Sequence, residues 1–396
     1  MMKNMKKILA LLSAITMTVS ASSCAFVSDL MGKILPNSGK ESSTSESSES
    51  SENTVEIENV EHIKNVILLI GDGMGPNQIK AGELFLGEKL CFQNFPYSVK
   101  VETRSNNAEV TDSAAAATAM ATGTRTNNGY VALAPDESEL TTIVDVANSL
   151  GKRTGVLATE PLSGATPMGF SGHSISRNNT GELLRSAAAN SNVNLFASYT
   201  MSAGYLEPFI ENGYTQKMKA DEISDATEEK IIGSYNILAT ATPMSERGQT
   251  LAFDRLVTES LDYLSQDEDG FFLMAEGSHI DHGGHDNNFD YMLSELVAFN
   301  DAVKAAVDWA SKRDDTVVIV TADHETGGLA LERSANTENL MDSYWWTTTG
   351  HTATDVFCFI NGADVDFAEY SFQSEERIKN TDIFQIIKKM LETGKV

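Results

Sequence analysis

Four apolar runs in this sequence end beside acidic residues, and this pattern constrains the fold more than any other feature. The runs are KNVILLI (64–70), RTGVLATE (153–160), GFFLMAEG (270–277) and TVVIVTADHE (316–325). Short continuous apolar runs are typical of parallel strands that are buried on both faces. Helical stretches lie between them, including 139–150 and 289–310. This alternation predicts an α/β fold with a doubly wound, mostly parallel central sheet flanked by helices, and the polar residues at the strand ends should form one site.

The stretch AEGSHIDHGGHDNN (275–288) is the densest in groups that bind metal ions. Asp281 and His285 are four residues apart, so both can reach one ion from a helix face or from a tight turn, which Gly283 and Gly284 favour. Imidazole together with carboxylate suits zinc, whereas a site made mainly of oxygen ligands suits magnesium. The alternative is a solvated acidic loop in which the histidines are incidental.

The TADHET segment argues against that alternative. Asp323 and His324 are adjacent, and they follow an apolar strand. A buried, unpaired carboxylate at that position would be costly, and a metal partner removes the cost.

The segment VTDSAAAATAMATGT (110–124) predicts a strand end followed by an alanine-rich helix that begins at Ser113. Ser113 can cap this helix, act as a nucleophile, or do both. No histidine lies nearby in the sequence to activate it, but a metal can stabilise the alkoxide instead. The helix N-terminus also directs backbone N–H groups toward a negatively charged ligand.

The formal net charge of −27 argues against nucleic acid as a specific partner. An acidic protein can still bind an anionic substrate where bound cations reverse the sign locally. The three cysteines, Cys24, Cys91 and Cys358, are too few for a disulfide framework.

The N-terminal segment is expected to lie outside the folded domain. MMKNMKK is basic, and ILALLSAITMTVSA is apolar but too short to span a bilayer stably. The following ASSC resembles a lipoprotein signal, which predicts a signal peptide over 1–23 and a lipid anchor on Cys24; plain cleavage near the same place is the alternative. Residues 24–59 are rich in serine and glutamate and predict a flexible tether, so the folded domain should cover 60–396.

A set of motifs, in this order along the chain, resembles the alkaline phosphatase family. They are IGDGMG, VTDSAAAATA, SGATP followed by GHSISR, EGSHIDHGGH, VTADHETGG and TTTGHT. The resemblance implies that residues 60–396 form a catalytic domain with an alkaline phosphatase-like fold. The small size of the segment 329–349 implies a reduced crown insertion, and we expect the region 200–250 to form a cap beside the cleft.

Residue by residue, the resemblance assigns a catalytic pair and three metal sites. It implies that Ser113 attacks phosphorus and becomes a phosphoserine, and that Arg177 binds the non-bridging phosphate oxygens. The ligands that it implies for the first zinc are Asp281, His285 and His351. For the second zinc they are Asp323 and His324, with Asp72 shared between that zinc and a magnesium site whose other protein ligands are Glu276 and Thr166.

Two positions depart from the best-known bacterial pattern of that family. Gly164 stands where the pattern has an aspartate that helps to hold water around the magnesium, which leaves the affinity and the identity of the third ion open. His282 stands where the pattern has a lysine. It can contact phosphate, directly or through water, with a charge that depends on pH, or it can donate to a carboxylate.

The resemblance thus implies a membrane-tethered, extracytoplasmic enzyme that hydrolyses small phosphate monoesters with two zinc ions and one magnesium-type ion. Members of the family are commonly dimers, so a homodimer is one expectation. A phosphodiesterase on the same metal scaffold is the nearest alternative, and it would need contacts for a second ester substituent. A non-catalytic surface lipoprotein that binds phosphate or zinc is the other; the presence of Ser113 and Arg177 argues against it, because a binding protein has no use for a nucleophile.

Overall fold

The computed structural model describes residues 59–190, 192–199, 203–219, 221–235, 252–370 and 377–396. The predicted signal peptide (1–23), Cys24 and residues 24–58 of the predicted tether lie outside the described residues. Among the helices that are described, none is both long enough and apolar enough to cross a membrane.

Strands and helices alternate along most of the chain. The strands are β1 (Asn65–Gly71), β2 (Tyr97–Glu102), β3 (Arg153–Ala158), β4 (Leu195–Tyr199), β5 (Thr215–Lys217), β6 (Ile231–Tyr235), β7 (Phe271–Gly277), β8 (Thr316–Thr321), β9 (Glu325–Thr326), β10 (Leu329–Leu331), β11 (Tyr344–Trp346), β12 (His351–Thr352), β13 (Val356–Asn361) and β14 (Arg377–Lys379). The helices are α1 (Pro76–Leu86), α2 (Ser113–Thr122), α3 (Ile143–Ser149), α4 (Ala165–Gly169), α5 (Thr180–Asn190), α6 (Ala203–Glu211), α7 (Asp221–Ser224), α8 (Phe253–Leu264), α9 (His279–His285), α10 (Phe289–Ala310) and α11 (Asn380–Thr393).

The described residues form one large sheet whose strands lie in the order β14-β2-β13-β8-β1-β7-β3-β4-β6-β5. All of these strands run in the same direction except β13, which is antiparallel to both β2 and β8. Every residue of β1, β7 and β8 is buried. The prediction of an α/β fold with a mostly parallel central sheet is therefore confirmed.

The register of the central strands aligns the ends that carry polar residues. Ile70 of β1 pairs with Glu276 of β7 and with Thr321 of β8. Ala158 of β3 also pairs with Glu276. The segments that follow these strands therefore begin side by side at one edge of the sheet, as expected for parallel strands.

Two regions outside the central strands were expected to form additions to the sheet, a cap over 200–250 and a reduced insertion over 329–349. The described part of the region 200–250 adds β5 and β6 to one edge of the sheet rather than forming a separate cap. Residues 200–202, 220 and 236–250 of that region lie outside the described residues. The short segment 329–349 forms the β10–β11 hairpin with one 3₁₀ turn at Leu340–Asp342, in agreement with a reduced insertion.

Candidate active site

Ser113 is the first residue of α2, but its neighbour caps the helix. The Asp112 side chain accepts a hydrogen bond from the Ala115 N–H at 3.0 Å, and Asp112 has the extended backbone of an N-cap residue. The Ser113 hydroxyl is therefore not needed for capping, and it lies 3.1 Å from His324 Nε2. Ser113 is buried at 3% exposure, at the N-terminus of a helix whose N–H groups attract negative charge.

His324 directs one ring nitrogen at a group of oxygen atoms. Its Nδ1 lies 3.2 Å from Thr326 Oγ1, which in turn donates a hydrogen bond to Asp281 Oδ1. Because the Thr326 proton is used in that way, a neutral His324 carries its proton on Nδ1 and leaves Nε2 with a lone pair. This lone pair faces Asp323 Oδ2 at 3.1 Å and Asp72 Oδ1 at 3.6 Å.

The Nε2 atoms of His285 and His351 also lie close together, beside the Asp281 carboxylate. His285 Nδ1 lies 2.6 Å from the Thr349 carbonyl oxygen and His351 Nδ1 lies 2.9 Å from the Thr111 carbonyl oxygen. A carbonyl oxygen can only accept, so each Nδ1 carries a proton and each Nε2 is unprotonated when the ring is neutral. The two Nε2 atoms are 3.1 Å apart, and they lie 3.3 Å and 3.5 Å from the Asp281 carboxylate oxygens.

This geometry fits bound cations. Converging lone pairs and carboxylates repel one another unless a proton or a metal ion lies between them. Among the described residues, two groups have ligand atoms that all lie within 4.8 Å of one another. They are Asp281, His324 and His351, and Asp72, Asp323 and His324. Mixed imidazole and carboxylate ligands are those that zinc prefers.

The segment that carries Asp281 and His285 is a helix. Of the two conformations considered for it, the helix face is therefore found, and the tight turn that the two glycines favoured is not. Residues 279–285 form α9, and the Asp281 and His285 side chains meet across one helical turn. Gly283 is needed for packing instead: a Cβ there would lie 2.6 Å from the Met292 backbone N and Cα atoms. The close approach of α9 and α10 therefore explains this glycine.

The carboxyl groups of the site titrate abnormally. Burial, followed by the nearby Asp323, raises the pKa of Asp72 well above its ordinary value. Burial, followed by Glu160, does the same for the pKa of Glu276. Asp323 behaves oppositely: burial alone would raise its pKa, but His324, the Gly73 N–H and His351 together lower it to about 2. The protein itself thus supplies too little positive charge for its carboxylates.

Glu276 and Thr166 lie at the same edge of the sheet, between β7 and α4. Both are fully buried, and neither Glu276 Oε1 nor Thr166 Oγ1 has a hydrogen-bond partner. The other oxygen, Glu276 Oε2, accepts from the Ser278 hydroxyl at 2.6 Å. Buried polar atoms without partners are rare in proteins, and these two are free to bind an ion.

Arg177 and His282 border the site from its more exposed side. Arg177 Nη1 lies 3.3 Å from Asp112 Oδ2, so the residue next to Ser113 holds the guanidinium. His282 Nε2 lies 3.9 Å from Glu160 Oε2, and its side chain is 42% exposed. The Glu160 carboxyl is therefore near His282, but this distance is too long for the hydrogen bond by which His282 was expected to donate to a carboxylate.

The structure thus brings together Ser113, Asp72, Asp281, His285, Asp323, His324 and His351, with Arg177 linked to Ser113 through its neighbour. Sequence reasoning missed three residues of the site, namely Asp112, Glu160 and Thr326. Two of them lie inside quoted motifs, Asp112 in VTDSAAAATA and Thr326 in VTADHETGG. Glu160 is the last residue of the run 153–160. Because the polar residues at the strand ends were expected to form one site, its position could have identified it.

The fold and the site together define a class, the α/β proteins in which histidine and carboxylate side chains converge at the carboxyl ends of a mostly parallel sheet. Residues 63–204 and 215–343 match the family model described as alkaline phosphatase. The chain belongs to the alkaline phosphatase family.

Individual relatives agree with this assignment. Over 287 residues the chain is 32% identical to alkaline phosphatase 3 of Bacillus subtilis (strain 168), a match that covers 68% of this chain and 62% of that protein. The chain thus spans less than two thirds of that relative's length. The solved alkaline phosphatase from the Antarctic bacterium TAB5 matches with a TM-score of 0.73 and 31% identity, covering 84% of this chain and 99% of that one. A mutant of the TAB5 enzyme with Mg bound in the M3 site matches with a TM-score of 0.72 and 30% identity over the same shares.

Proposed function

We propose that this protein hydrolyses phosphate monoesters to an alcohol and inorganic phosphate through a phosphoserine at Ser113. One observation carries the proposal: the Ser113 hydroxyl lies 3.1 Å from His324 Nε2, beside two clusters of histidine and carboxylate ligand atoms. A serine that only supported a helix would have no reason to face such a cluster, since Asp112 already caps α2. Membership of a phosphatase family supports the same reaction.

The residues of the chain divide the reaction between them. Ser113 Oγ forms a bond to phosphorus while the bond to the leaving oxygen breaks, and water later cleaves the phosphoserine. Arg177 offers a planar pair of donors to two phosphate oxygens, a geometry that lysine cannot reproduce. The N–H groups at the start of α2 face the same phosphate. His282 adds a contact to phosphate, directly or through water, whose charge depends on pH.

We assign the metal ligands as two zinc sites. Asp281, His285 and His351 hold the first ion, because the Nε2 atoms of both histidines face the Asp281 carboxylate. Asp72, Asp323 and His324 hold the second, and His324 lies near enough to the first group to share its ligand cluster. When bound, the ions stabilise negative charge on the attacking and leaving oxygens. The support is the set of unprotonated Nε2 atoms directed at carboxylates, which suits zinc in donor type and in charge.

A third, magnesium-type site uses Asp72, Glu276 and Thr166. These side chains supply only oxygen atoms, which magnesium prefers. The unpaired Glu276 Oε1 and Thr166 Oγ1 support the assignment, and so does the presence of Mg in the M3 site of the TAB5 mutant.

The assay for this proposal is phosphate release from an aryl phosphate at alkaline pH. The full chain is stripped with a chelator and refilled with zinc and magnesium. Activity should return with metal and should fall by about 10³-fold or more in Ser113→Ala. Ser149→Ala, which removes an exposed hydroxyl at the end of α3, should keep full activity. Lack of activity in folded, zinc-loaded protein would overturn the proposal.

Two further assays separate the other candidate functions. If an aryl phosphodiester is cleaved faster than the monoester, the protein is a phosphodiesterase on this metal scaffold. If phosphate binds but no metal-dependent turnover occurs, the protein is a binding protein. We expect neither result. Among the side chains described around Ser113, we give none the role of binding a second ester substituent.

We also propose that the protein is extracytoplasmic, that it is anchored to the membrane through a lipid on Cys24 and that it forms a homodimer. The anchor rests on the sequence of residues 1–59 alone. Mass spectrometry of the mature N-terminus tests it: an acylated Cys24 is expected, and an unmodified start beyond Cys24 would contradict it. Sedimentation of the purified domain tests the dimer, which a monomeric mass at micromolar concentration would contradict.

A further inference from the structure

Glu160 occupies the space that a side chain at residue 164 would fill. Gly164 precedes the first residue of α4, and a Cβ built on it would collide with Glu160 Oε1 and lie 2.5 Å from Glu160 Cδ. Its backbone has a φ of −58°, which any residue can adopt. The glycine is therefore explained by the carboxyl group that lies against it, and not by the conformation of its backbone.

Two contacts place Glu160 beside the proposed third site. The N–H of the preceding residue, Thr159, donates to the Glu276 carbonyl oxygen at 3.1 Å. Gly164, against which the Glu160 carboxyl lies, is two residues before Thr166.

Glu160 is the strongest charge acting on Glu276, and it also acts on Asp72. Thr166 lies close enough to Glu276 to influence it as well. Neither Glu276 Oε1 nor Thr166 Oγ1 has a partner within hydrogen-bonding geometry, and both atoms are buried. The one hydroxyl that acts on Glu276 from this side, that of Thr166, cannot neutralise two buried carboxyl groups.

The cationic side chains near Glu160 do not explain its position. His282 Nε2 lies 3.9 Å away, which is too long for a hydrogen bond. Arg177 forms an ion pair with Asp112, although its positive charge also lowers the pKa of Glu160. The Glu160 side chain is 18% exposed, so its charge is largely removed from water and calls for a closer cation.

We propose that Glu160 binds the third, magnesium-type cation, directly or through a water molecule, and that it replaces the side chain that Gly164 lacks. The inference rests on the proposed function, because it takes the third site from that proposal. It adds a residue from the same segment after β3, four positions before Gly164. The missing side chain at residue 164 is thus compensated rather than lost.

The direct test is calorimetric titration of Mg²⁺ alone into zinc-loaded full-length protein. Glu160→Gln keeps the shape of the side chain and removes its charge, and it should weaken magnesium binding by about 10- to 100-fold. Glu88→Gln makes the same chemical change at an exposed position after α1, and its magnesium affinity should equal that of the unaltered protein. Equal affinities in all three proteins would overturn the proposal.

A second pair of variants moves the carboxylate instead of removing it. Gly164→Asp alone should perturb the site, because the new side chain collides with Glu160. Glu160→Ala combined with Gly164→Asp clears that space and places a carboxylate nearby, so magnesium affinity should recover relative to Glu160→Ala. If Glu160 only packs against α4, the double variant will bind magnesium no better than Glu160→Ala, and the proposal fails.

These measurements separate this inference from the proposed function. If the unaltered protein hydrolyses the aryl phosphate but its magnesium affinity does not depend on Glu160, the inference fails alone. If Glu160→Gln raises the KM for substrate without changing magnesium affinity, Glu160 instead positions Arg177 or His282, and the inference again fails. If magnesium binding depends on Glu160 but no phosphatase activity is found, the ligand assignment stands and the proposed function fails.

Discussion

Asp112 joins the start of α2 to Arg177, and two substitutions can separate these roles. One carboxylate oxygen accepts from the Ala115 N–H at 3.0 Å. The other accepts from the Gly129 N–H at 3.0 Å and from Arg177 Nη1 at 3.3 Å. Alanine removes both oxygens, whereas asparagine keeps one oxygen for the cap. We therefore predict that Asp112→Ala destabilises the protein more than Asp112→Asn does.

The expected difference follows from the contacts. Loss of an N-cap costs about 1 kcal/mol. The Gly129 N–H loses its acceptor in both variants, at about 1–3 kcal/mol if it stays unsatisfied. The ion pair with Arg177 is partly exposed, so it contributes at most about 1 kcal/mol. Asp112→Ala should therefore lower the free energy of unfolding by about 2–5 kcal/mol, and Asp112→Asn by about 1 kcal/mol less.

Urea unfolding of metal-free protein measures this difference, and steady-state kinetics provide a second readout. Thr142→Ala removes the cap of α3 and serves as a reference for the cost of a cap alone. Both Asp112 substitutions remove the ion pair with Arg177, so the KM for an aryl phosphate should change by a similar factor in the two variants. If the alanine and asparagine variants unfold at the same urea concentration, Asp112 does not cap α2 and the reasoning is refuted.

Three further predictions concern packing, pH and the thiols. Gly283→Ala should lower the urea midpoint, at a cost of about 1–3 kcal/mol, because its Cβ would lie 2.6 Å from the Met292 backbone; an unchanged midpoint would contradict this packing. The melting temperature of metal-free protein should fall as the pH rises from about 5 to 8, and zinc should flatten this dependence. The reason is that burial raises the pKa of Glu160 to about 7 and raises that of Asp72, so the native state binds more protons than the unfolded state there. Burial raises the pKa of Cys358 to about 12, so this thiol should resist alkylation in the folded protein, and a modified Cys358 peptide in the mass spectrum would count against it.

Much of the fold could be predicted because the central strands leave little choice. Segments such as 66–70 and 317–320 are apolar throughout, and short runs of this kind, rich in β-branched residues, are typical of strands buried on both faces of a sheet. The long helix was predicted over 289–310, and α10 covers that range. The strand ends that carry Asp72 and Glu276 meet because parallel strands in register end at the same edge.

The remaining features depend on contacts between distant residues. No local pattern shows that the Glu160 carboxyl takes up the space next to Gly164, because this depends on how the segment after β3 folds back onto α4. The helical conformation of 279–285 overrides the turn preference of two glycines because α9 packs closely on α10. The cap of α2 could have been assigned to Asp112, since aspartate is among the best N-cap residues.

Isolation of the phosphorylated enzyme tests the central claim most directly. Zinc-loaded protein is mixed with an aryl phosphate, quenched in acid and digested, and the peptides are examined by mass spectrometry. The account predicts one added phosphoryl group on the peptide that contains Ser113, and none in Ser113→Ala. Phosphate release without any phosphorylated Ser113 would contradict it, because the reaction would then proceed by direct attack of water.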